Sequence, residues 1–226
     1  MRNFMEMLRA KWAEGKFVCV GLDSESEKVP RLAGGVPEFN KRIIEETRSF
    51  VCAYKPNIAF YADRGIAGIQ DLTETVLIIK TQAPDVPIIL DVKRADIGNT
   101  NRGYVAEAFD IIGADAVTVN PYFGAEALQP FLERKEKGVI VLCRTSNKGA
   151  AEFQNRSVFV EKDEVVYDGV PREVLDEDPM LNPTMWAVPL YQLVAHNVAR
   201  KWKTNGNCAL VVGATAPEEL GFVRKI

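Results

Sequence analysis

The sequence predicts an α/β fold and, within that class, a (β/α)8 TIM barrel. Short apolar runs rich in Val and Ile alternate with stretches of helical periodicity along the 226 residues, which indicates parallel strands joined by crossover helices. Polar residues stand at the carboxyl end of nearly every predicted strand, a pattern typical of barrel active sites. Neither a G-x-G-x-x-G nor a P-loop motif occurs, so no nucleotide-binding fingerprint favours an open sheet.

Six strands are predicted, so only about six of the eight β/α units of a barrel are evident. The apolar runs lie at residues 17–22, 51–54, 86–90, 116–119, 139–143 and 208–212. Helical spacing predicts helices at residues 37–50, 72–79, 104–112, 125–132 and 190–202. The polar strand ends are Asp23, Lys55, Asn57, Asp91, Lys93, Asn120, Thr145, Ser146, Asn147 and Thr215.

One domain is predicted over residues 1–226, with an irregular insertion at about 155–183. Within the insertion, residues 158–160 and 165–167 flank a charged tripeptide and are spaced for a small hairpin. An acidic, Pro-containing run follows. Two interpretations are equally open: a lid over the site, or a solvated insertion with no role.

The charge of the chain argues against nucleic acid as a partner. Lys and Arg total 28 against 31 Asp and Glu, which gives a net charge of −3 and no general attraction to polyanions. Charged residues interrupt the amino-terminal segment at Glu6 and Arg9, and no run is long and apolar enough for a bilayer. We therefore expect a cytoplasmic protein without a membrane partner.

Cysteine and histidine usage predicts neither a disulfide framework nor a metal site. The four cysteines lie within apolar runs without C-x-x-C spacing, so buried thiols are expected. The single histidine, His196, cannot form a cluster of imidazole ligands within one chain. We therefore expect no bound metal or cofactor.

The most informative segment is LDVKRADIGNT, residues 90–100. Asp91 and Lys93 are two apart on a strand and share one face, Asp96 follows the strand end, and Lys55 ends the neighbouring strand. Burying ions costs several kcal/mol each unless they are well paired, so such an array indicates function. A surface ion-pair row is the structural alternative, but the apolar run before Asp91 favours a buried strand.

This segment resembles the D-x-K-x-x-D-I signature of orotidine 5'-phosphate decarboxylases, and in particular a bacterial subgroup with K-R-x-D-I and T-S-N motifs. Further segments agree in order and spacing: CVGLD, YKPNIAFY, DAVTVNPYFG, LCRTSNKGA and VVGATAPEEL. The resemblance runs from about Phe17 to the last residue, interrupted by the insertion. A D-x-K-x-x-D motif alone would also fit the sugar-phosphate lyases of the same superfamily.

The resemblance implies decarboxylation of orotidine 5'-phosphate to UMP and CO2 in de novo pyrimidine biosynthesis, with no metal or cofactor. It implies that Lys93 stabilises the carbanion at C6 of the pyrimidine and donates a proton to it. Asp91, Asp96 and Lys55 complete the implied Asp/Lys charge network. Asp91 also lies against the departing carboxylate in this reading, so that its repulsion is relieved as CO2 leaves.

The resemblance also implies the substrate-binding residues. Asp23 and Lys55 match positions that bind ribose hydroxyls, and Ser146 matches the hydroxyl that reads the pyrimidine edge, although T-S-N also suits a helix N-cap. Three further residues match positions that the family inserts into the partner subunit's site, and they imply a homodimer: Asp96, Ile97 and Thr100.

The resemblance is incomplete at the carboxyl end. In the family, two further strands with a Gly-rich turn and a Gly-Arg pair hold the 5'-phosphate, and these are expected to be missing from the 226 residues. Two alternatives therefore stay open: a metal-dependent lyase similar to hexulose-phosphate synthase or ketogulonate-phosphate decarboxylase, and a truncated, non-catalytic dimerising homologue. A chelator separates the first alternative from the decarboxylase, and failure to bind UMP would support the second.

Overall fold

The structure, a computed structural model, describes residues 2–161, 185–202, 206–213 and 217–223. The described residues form two compact units, within residues 1–140 and 141–226, and the boundary falls inside the fifth strand. The expectation of one domain over residues 1–226 stays a prediction. No helix in the described ranges has the length and apolar character needed to cross a membrane.

The first unit alternates helices and strands. In chain order it contains α1 (Phe4–Ala13), β1 (Val18–Gly21), α2 (Val36–Thr47), β2 (Val51–Lys55), α3 (Ala59–Ala62), α4 (Gly65–Gln82), β3 (Ile89–Arg94), α5 (Gly98–Val105), β4 (Ala116–Val119), α6 (Gly124–Leu132) and the start of β5 (Gly138–Arg144). Short 3-10 turns lie at Arg31–Ala33 and Pro121–Phe123, and π-helical turns at Ala106–Ile111 continue α5.

The strands of the first unit pair in parallel, as the apolar runs predict. β1 lies beside β2, with Gly21 opposite Lys55, and β3 lies beside β4, with Leu90 opposite Val117. Single parallel bridges, one of them between Asn57 and Asp91, connect the β2 and β3 segments. Because parallel strands run in the same direction, the ends of β2 and β3 bring their polar residues to the same edge.

The amino ends of these strands are closed by α1. Its residues Phe4 and Leu8 pack on a buried cluster with Cys52, Ile89 and Ala116. The preceding residue Arg2 donates from Nη2 to Asp115 Oδ2 at 2.7 Å, and Asp115 Oδ2 also accepts from the Ile88 backbone N–H at 2.9 Å. The apolar core and this ion pair therefore occupy one end of the strands, whereas the polar residues occupy the other.

The second unit begins within β5. It contains a 3-10 helix (Lys148–Glu152), β6 (Ser157–Glu161), β7 (Met185–Pro189), α7 (Leu190–His196) with π-helical turns at Asn197–Trp202, β8 (Cys208–Val212) and α8 (Pro217–Val223). β8 is the neighbour of β5, and the Gly213 N–H donates to the Arg144 carbonyl at 2.7 Å. A small core here includes Cys143, Tyr191 and Ala195.

All six predicted strands are present, but the third runs over Ile89–Arg94 instead of residues 86–90, and β7 was not predicted. Residues 158–160 do form a strand, but its antiparallel partner is Met185–Pro189; the predicted partner, 165–167, lies outside the described residues. The prediction of four buried thiols is wrong for Cys19, which is exposed, and Cys208 is only partly buried. β1 pairs in the described structure with β2 alone, which leaves much of its surface open.

Candidate active site

Three charged side chains meet at the carboxyl ends of β2 and β3. Lys55 Nζ lies 3.1 Å from Asp91 Oδ2, and Lys93 Nζ lies 2.7 Å from Asp91 Oδ1. Asp91 is only 8% exposed, so a surface row of ion pairs is excluded. The side chain of Lys93 is 49% exposed and can therefore reach a ligand while it remains paired with Asp91.

A bulge in β3 creates this geometry. Leu90 lies opposite Val117, and the next paired residue of β3 is Arg94, opposite Val119. Between these two pairs β3 has two residues more than β4, which makes a bulge. Lys93 lies in the bulge with φ of 48°, the only positive φ among the non-glycine residues described. For an L-residue this conformation costs about 1 kcal/mol, and strained positions of this kind concentrate at functional sites.

Thr118 of β4 holds the bulge together. Its Oγ1 donates to Asp91 Oδ1 at 2.7 Å and accepts from the backbone N–H groups of Val92 and Lys93, each at 3.0 Å. Asp91 Oδ1 therefore accepts from both Lys93 and Thr118, while Oδ2 accepts from Lys55.

The surroundings of Asp91 keep its carboxylate ionised. Burial alone would raise the pKa of Asp91, but the hydrogen bonds from Lys93 and Thr118 and the charge of Lys55 outweigh it, so the pKa lies below its ordinary value. With two ammonium groups and one carboxylate, the cluster carries one net positive charge. It therefore attracts an anionic ligand although the whole chain is negative.

Asp96 stands in the turn between β3 and α5, outside this cluster. Asn101, which is fully buried, accepts from the Asp96 N–H at 3.0 Å and donates to the carbonyls of Asp96 and Ala127 at 2.6 Å each. In the described part of the chain the Asp96 carboxylate forms no ion pair, and the structure thus joins three of the four charged residues predicted as an array. The neighbouring Ile97 is 57% exposed and Thr100 half-buried.

Asp23 follows β1 and lies beside the end of β2, since the Leu22 N–H donates to the Lys55 carbonyl at 3.1 Å. Its exposed side chain lines a cavity of about 460 Å³. Behind it, Ser24 Oγ donates at 2.6 Å to Oδ1 of the fully buried Asn40. This bond fixes the chain next to Asp23 against α2.

Ser146 belongs to the second unit and is exposed. The preceding Thr145 is fixed by Gln154, whose Oε1 accepts from the Thr145 N–H and whose Nε2 donates to its hydroxyl, each at 2.8 Å. Gly213 passes so close that a Cβ there would lie 3.0 Å from the Ser146 backbone nitrogen. The N-cap of the following 3-10 helix is Asn147, so the alternative role of Ser146 as a helix cap is wrong.

Sequence reasoning missed the buried polar residues that support the site: Asn40, Asn101 and Thr118. A signal was available for Thr118, because it is the one polar residue in the strand A-V-T-V. Among the described residues, no group of three or more His, Cys, Asp or Glu side chains is arranged to hold a metal ion.

Comparison with known proteins identifies the family. The family model described as "Orotidine 5'-phosphate decarboxylase / HUMPS family" matches residues 16–173. The chain belongs to this family. It is 42% identical to an orotidine 5'-phosphate decarboxylase of Cellvibrio japonicus (strain Ueda107) over 231 aligned positions, which cover 99% of this chain and 74% of the relative.

Solved structures of the decarboxylase family agree with this assignment. Leishmania donovani OMP decarboxylase matches with a TM-score of 0.77 and 35% identity, covering 98% of this chain and 75% of the other. Leishmania donovani UMP synthase matches with a TM-score of 0.78 and 34% identity, covering 99% of this chain and 42% of the other. The predicted fold class, an α/β (β/α)8 barrel, is confirmed by these matches.

Proposed function

We propose that this chain is a cytoplasmic, homodimeric enzyme that removes CO2 from orotidine 5'-phosphate and releases UMP, a step of pyrimidine biosynthesis. The observation that carries the proposal is the Lys55–Asp91–Lys93 cluster at the carboxyl ends of β2 and β3, in a chain of the decarboxylase family. Its net positive charge suits a substrate with a carboxylate and a phosphate.

The proposed chemistry centres on Lys93. The bond between C6 of the pyrimidine and its carboxylate carbon breaks, and the electron pair stays on C6. The Lys93 ammonium stabilises this charge and then transfers a proton from Nζ to C6, so the products are CO2 and UMP. Because its side chain is half exposed, the resulting amine recovers its proton from water.

Asp91 has two roles in this proposal. It holds Lys93 and Lys55 through its two carboxylate oxygens, which fixes the ammonium where the C6 charge develops. It also lies against the carboxylate of the bound substrate, and the repulsion between these two anions disappears when neutral CO2 leaves.

Substrate binding is assigned to residues around the cluster. We assign Asp23 and Lys55 to the ribose hydroxyls and Ser146 to the pyrimidine edge. Asp96, with Ile97 and Thr100, is assigned to the site of the partner subunit in a homodimer. The exposure of Ile97 on the turn after β3 supports this, because an apolar side chain there is available to a second copy of the chain.

The test is release of CO2 from orotidine 5'-phosphate labelled in its carboxyl group, with and without EDTA. We expect equal turnover in both samples. Turnover that requires added Mg²⁺ and uses a sugar phosphate instead would contradict the proposal and indicate a hexulose-phosphate synthase or ketogulonate-phosphate decarboxylase. A chain that shows no turnover and does not bind UMP would be the non-catalytic dimerising homologue.

A further inference from the structure

A single buried hydroxyl joins the two groups proposed to carry the reaction. Thr118 is 4% exposed, and its neighbours Val117 and Val119 are fully buried. An unbonded hydroxyl in such a place would be unfavourable, because it loses its hydrogen bonds to water. A valine of nearly the same shape would fill the space without that penalty, so packing alone does not account for the threonine.

The hydrogen bonds of Thr118 use its whole capacity. A threonine hydroxyl has one donor and two acceptor lone pairs. Here the donor goes to Asp91 Oδ1, and the two acceptor positions receive the N–H groups of Val92 and Lys93. No capacity is left for a substrate, so the hydroxyl acts on the reaction through other residues.

These three bonds control both ends of the Lys93–Asp91 pair. In the bulge the N–H groups of Val92 and Lys93 both donate to Thr118, and these bonds hold the backbone where Lys93 is left-handed. The third bond fixes the oxygen of Asp91 that accepts the Lys93 ammonium. We propose that Thr118 is a positioning residue that sets the place of the Lys93 ammonium and of the Asp91 carboxylate during decarboxylation.

This inference rests on the function proposed above and is tested with two substitutions. Thr118→Val keeps the shape and removes the hydroxyl, whereas Thr118→Ser keeps the hydroxyl. We expect Thr118→Val to lower kcat by about 10²-fold, the usual consequence of a displacement near 1 Å at a reacting group, with little change in the Kd of UMP. Thr118→Ser should keep most of the wild-type kcat.

The pH profile separates positioning from a purely structural role. Asp91 loses a donor in Thr118→Val, so its protonated form becomes more favourable and the acid limb of kcat moves to higher pH. Thr118→Ser should keep the limb in place. The matched control is Thr47→Val at the end of α2, which removes a hydroxyl that donates to the Ile43 carbonyl at 2.6 Å. It should lower the melting temperature without moving the limb.

Several results would overturn the proposal. One is a folded Thr118→Val enzyme with normal kcat and an unmoved acid limb; another is a loss in Thr118→Ser as large as that in Thr118→Val. If Thr118→Val does not fold, Thr118→Cys replaces it with the same expectations, because a thiol is a weak donor and acceptor. A wild-type chain without decarboxylase activity would instead refute the proposed function.

Discussion

Lys93 and Asp91 are two residues apart in β3, and an ion pair joins their side chains. Residues two apart on a strand are separated by roughly 6.6 Å along it. The chain between the paired residues Leu90 and Arg94 is bulged, Lys93 has a left-handed backbone there, and its Nζ lies 2.7 Å from Asp91 Oδ1. The pair therefore depends on the conformation of β3 as well as on the spacing of its residues.

The role assigned to Lys93 predicts the outcome of Lys93→Ala. Without an ammonium at C6 the enzyme loses both charge stabilisation and the proton donor, so turnover should fall by at least about 10²-fold. The fold should persist, because the Lys93 side chain is half exposed and its truncation to alanine leaves no cavity in the core. Far-UV circular dichroism serves as the control. A folded variant with near-normal turnover would contradict the assignment.

The lowered pKa of Asp91 predicts a pH dependence of stability. A carboxyl whose pKa is lower in the folded state stabilises the fold above its unfolded pKa, and this contribution is lost as pH falls through the folded pKa. Asp91→Asn should therefore be less stable than wild type by about 1 kcal/mol at pH 7, a figure reduced by the exposure of Lys93. The difference should shrink below about pH 4.

Urea unfolding at pH 7 and at pH 3.5 measures this difference in the free energy of unfolding. Glu25→Gln is a suitable control, because Glu25 forms an exposed ion pair with Lys28 and should show almost no difference at either pH. If the difference in the free energy of unfolding between Asp91→Asn and wild type stays constant from pH 7 to 3.5, the ionised pair is contradicted.

Among the elements, the strands could be predicted and the loops between them only in part. Continuous apolar runs mark the strands because parallel strands are buried on both faces. The bulge in β3 and the left-handed φ of Lys93 could not be predicted, because tertiary bonds from Thr118 stabilise them and no local residue preference favours them. The partner of β6 lies 24 residues beyond its end, from Glu161 to Met185, and no local turn signal marks it.

The turn that carries Asp96 depends on one side chain of α5. Asn101→Ala leaves the carbonyls of Asp96 and Ala127 without their donor, so the free energy of unfolding should fall by about 2 kcal/mol. Asn99→Ala, in the same turn of helix but exposed, is the matched control and should change it by less than about 0.5 kcal/mol. Thermal or urea unfolding of the two variants makes the comparison. Equal effects would contradict the importance of the buried amide.

At the scale of the molecule, the sequence was sufficient to predict the family but not to establish how copies of the chain assemble. Ordered motifs from CVGLD to VVGATAPEEL predicted the family that the comparisons identify. Two predicted charged residues, Lys55 and Lys93, meet at Asp91, because strand order brings β2 and β3 together. The placement of Asp96 follows no such rule, since it lies on the turn between β3 and α5 and is bonded there to Asn101.

Mixing two inactive variants tests the dimer. If Asp96 serves the partner's site, a mixed dimer of Lys93→Ala and Asp96→Ala contains one intact site and one doubly altered site. Random mixing of equal amounts should then restore about one quarter of wild-type activity. Each variant alone is the control. Mixed dimers, verified by mass spectrometry, that stay inactive would show that Asp96 acts within its own chain.

The left-handed backbone at Lys93 has a consequence for laboratory evolution. Glycine and asparagine adopt this conformation with less strain than lysine. A library varied at position 93 and selected only for heat resistance should therefore become enriched in glycine and asparagine, whereas selection for growth without uracil should retain lysine. Stability and activity would then favour different residues at a single codon, and sequencing the two selected pools would measure this conflict directly.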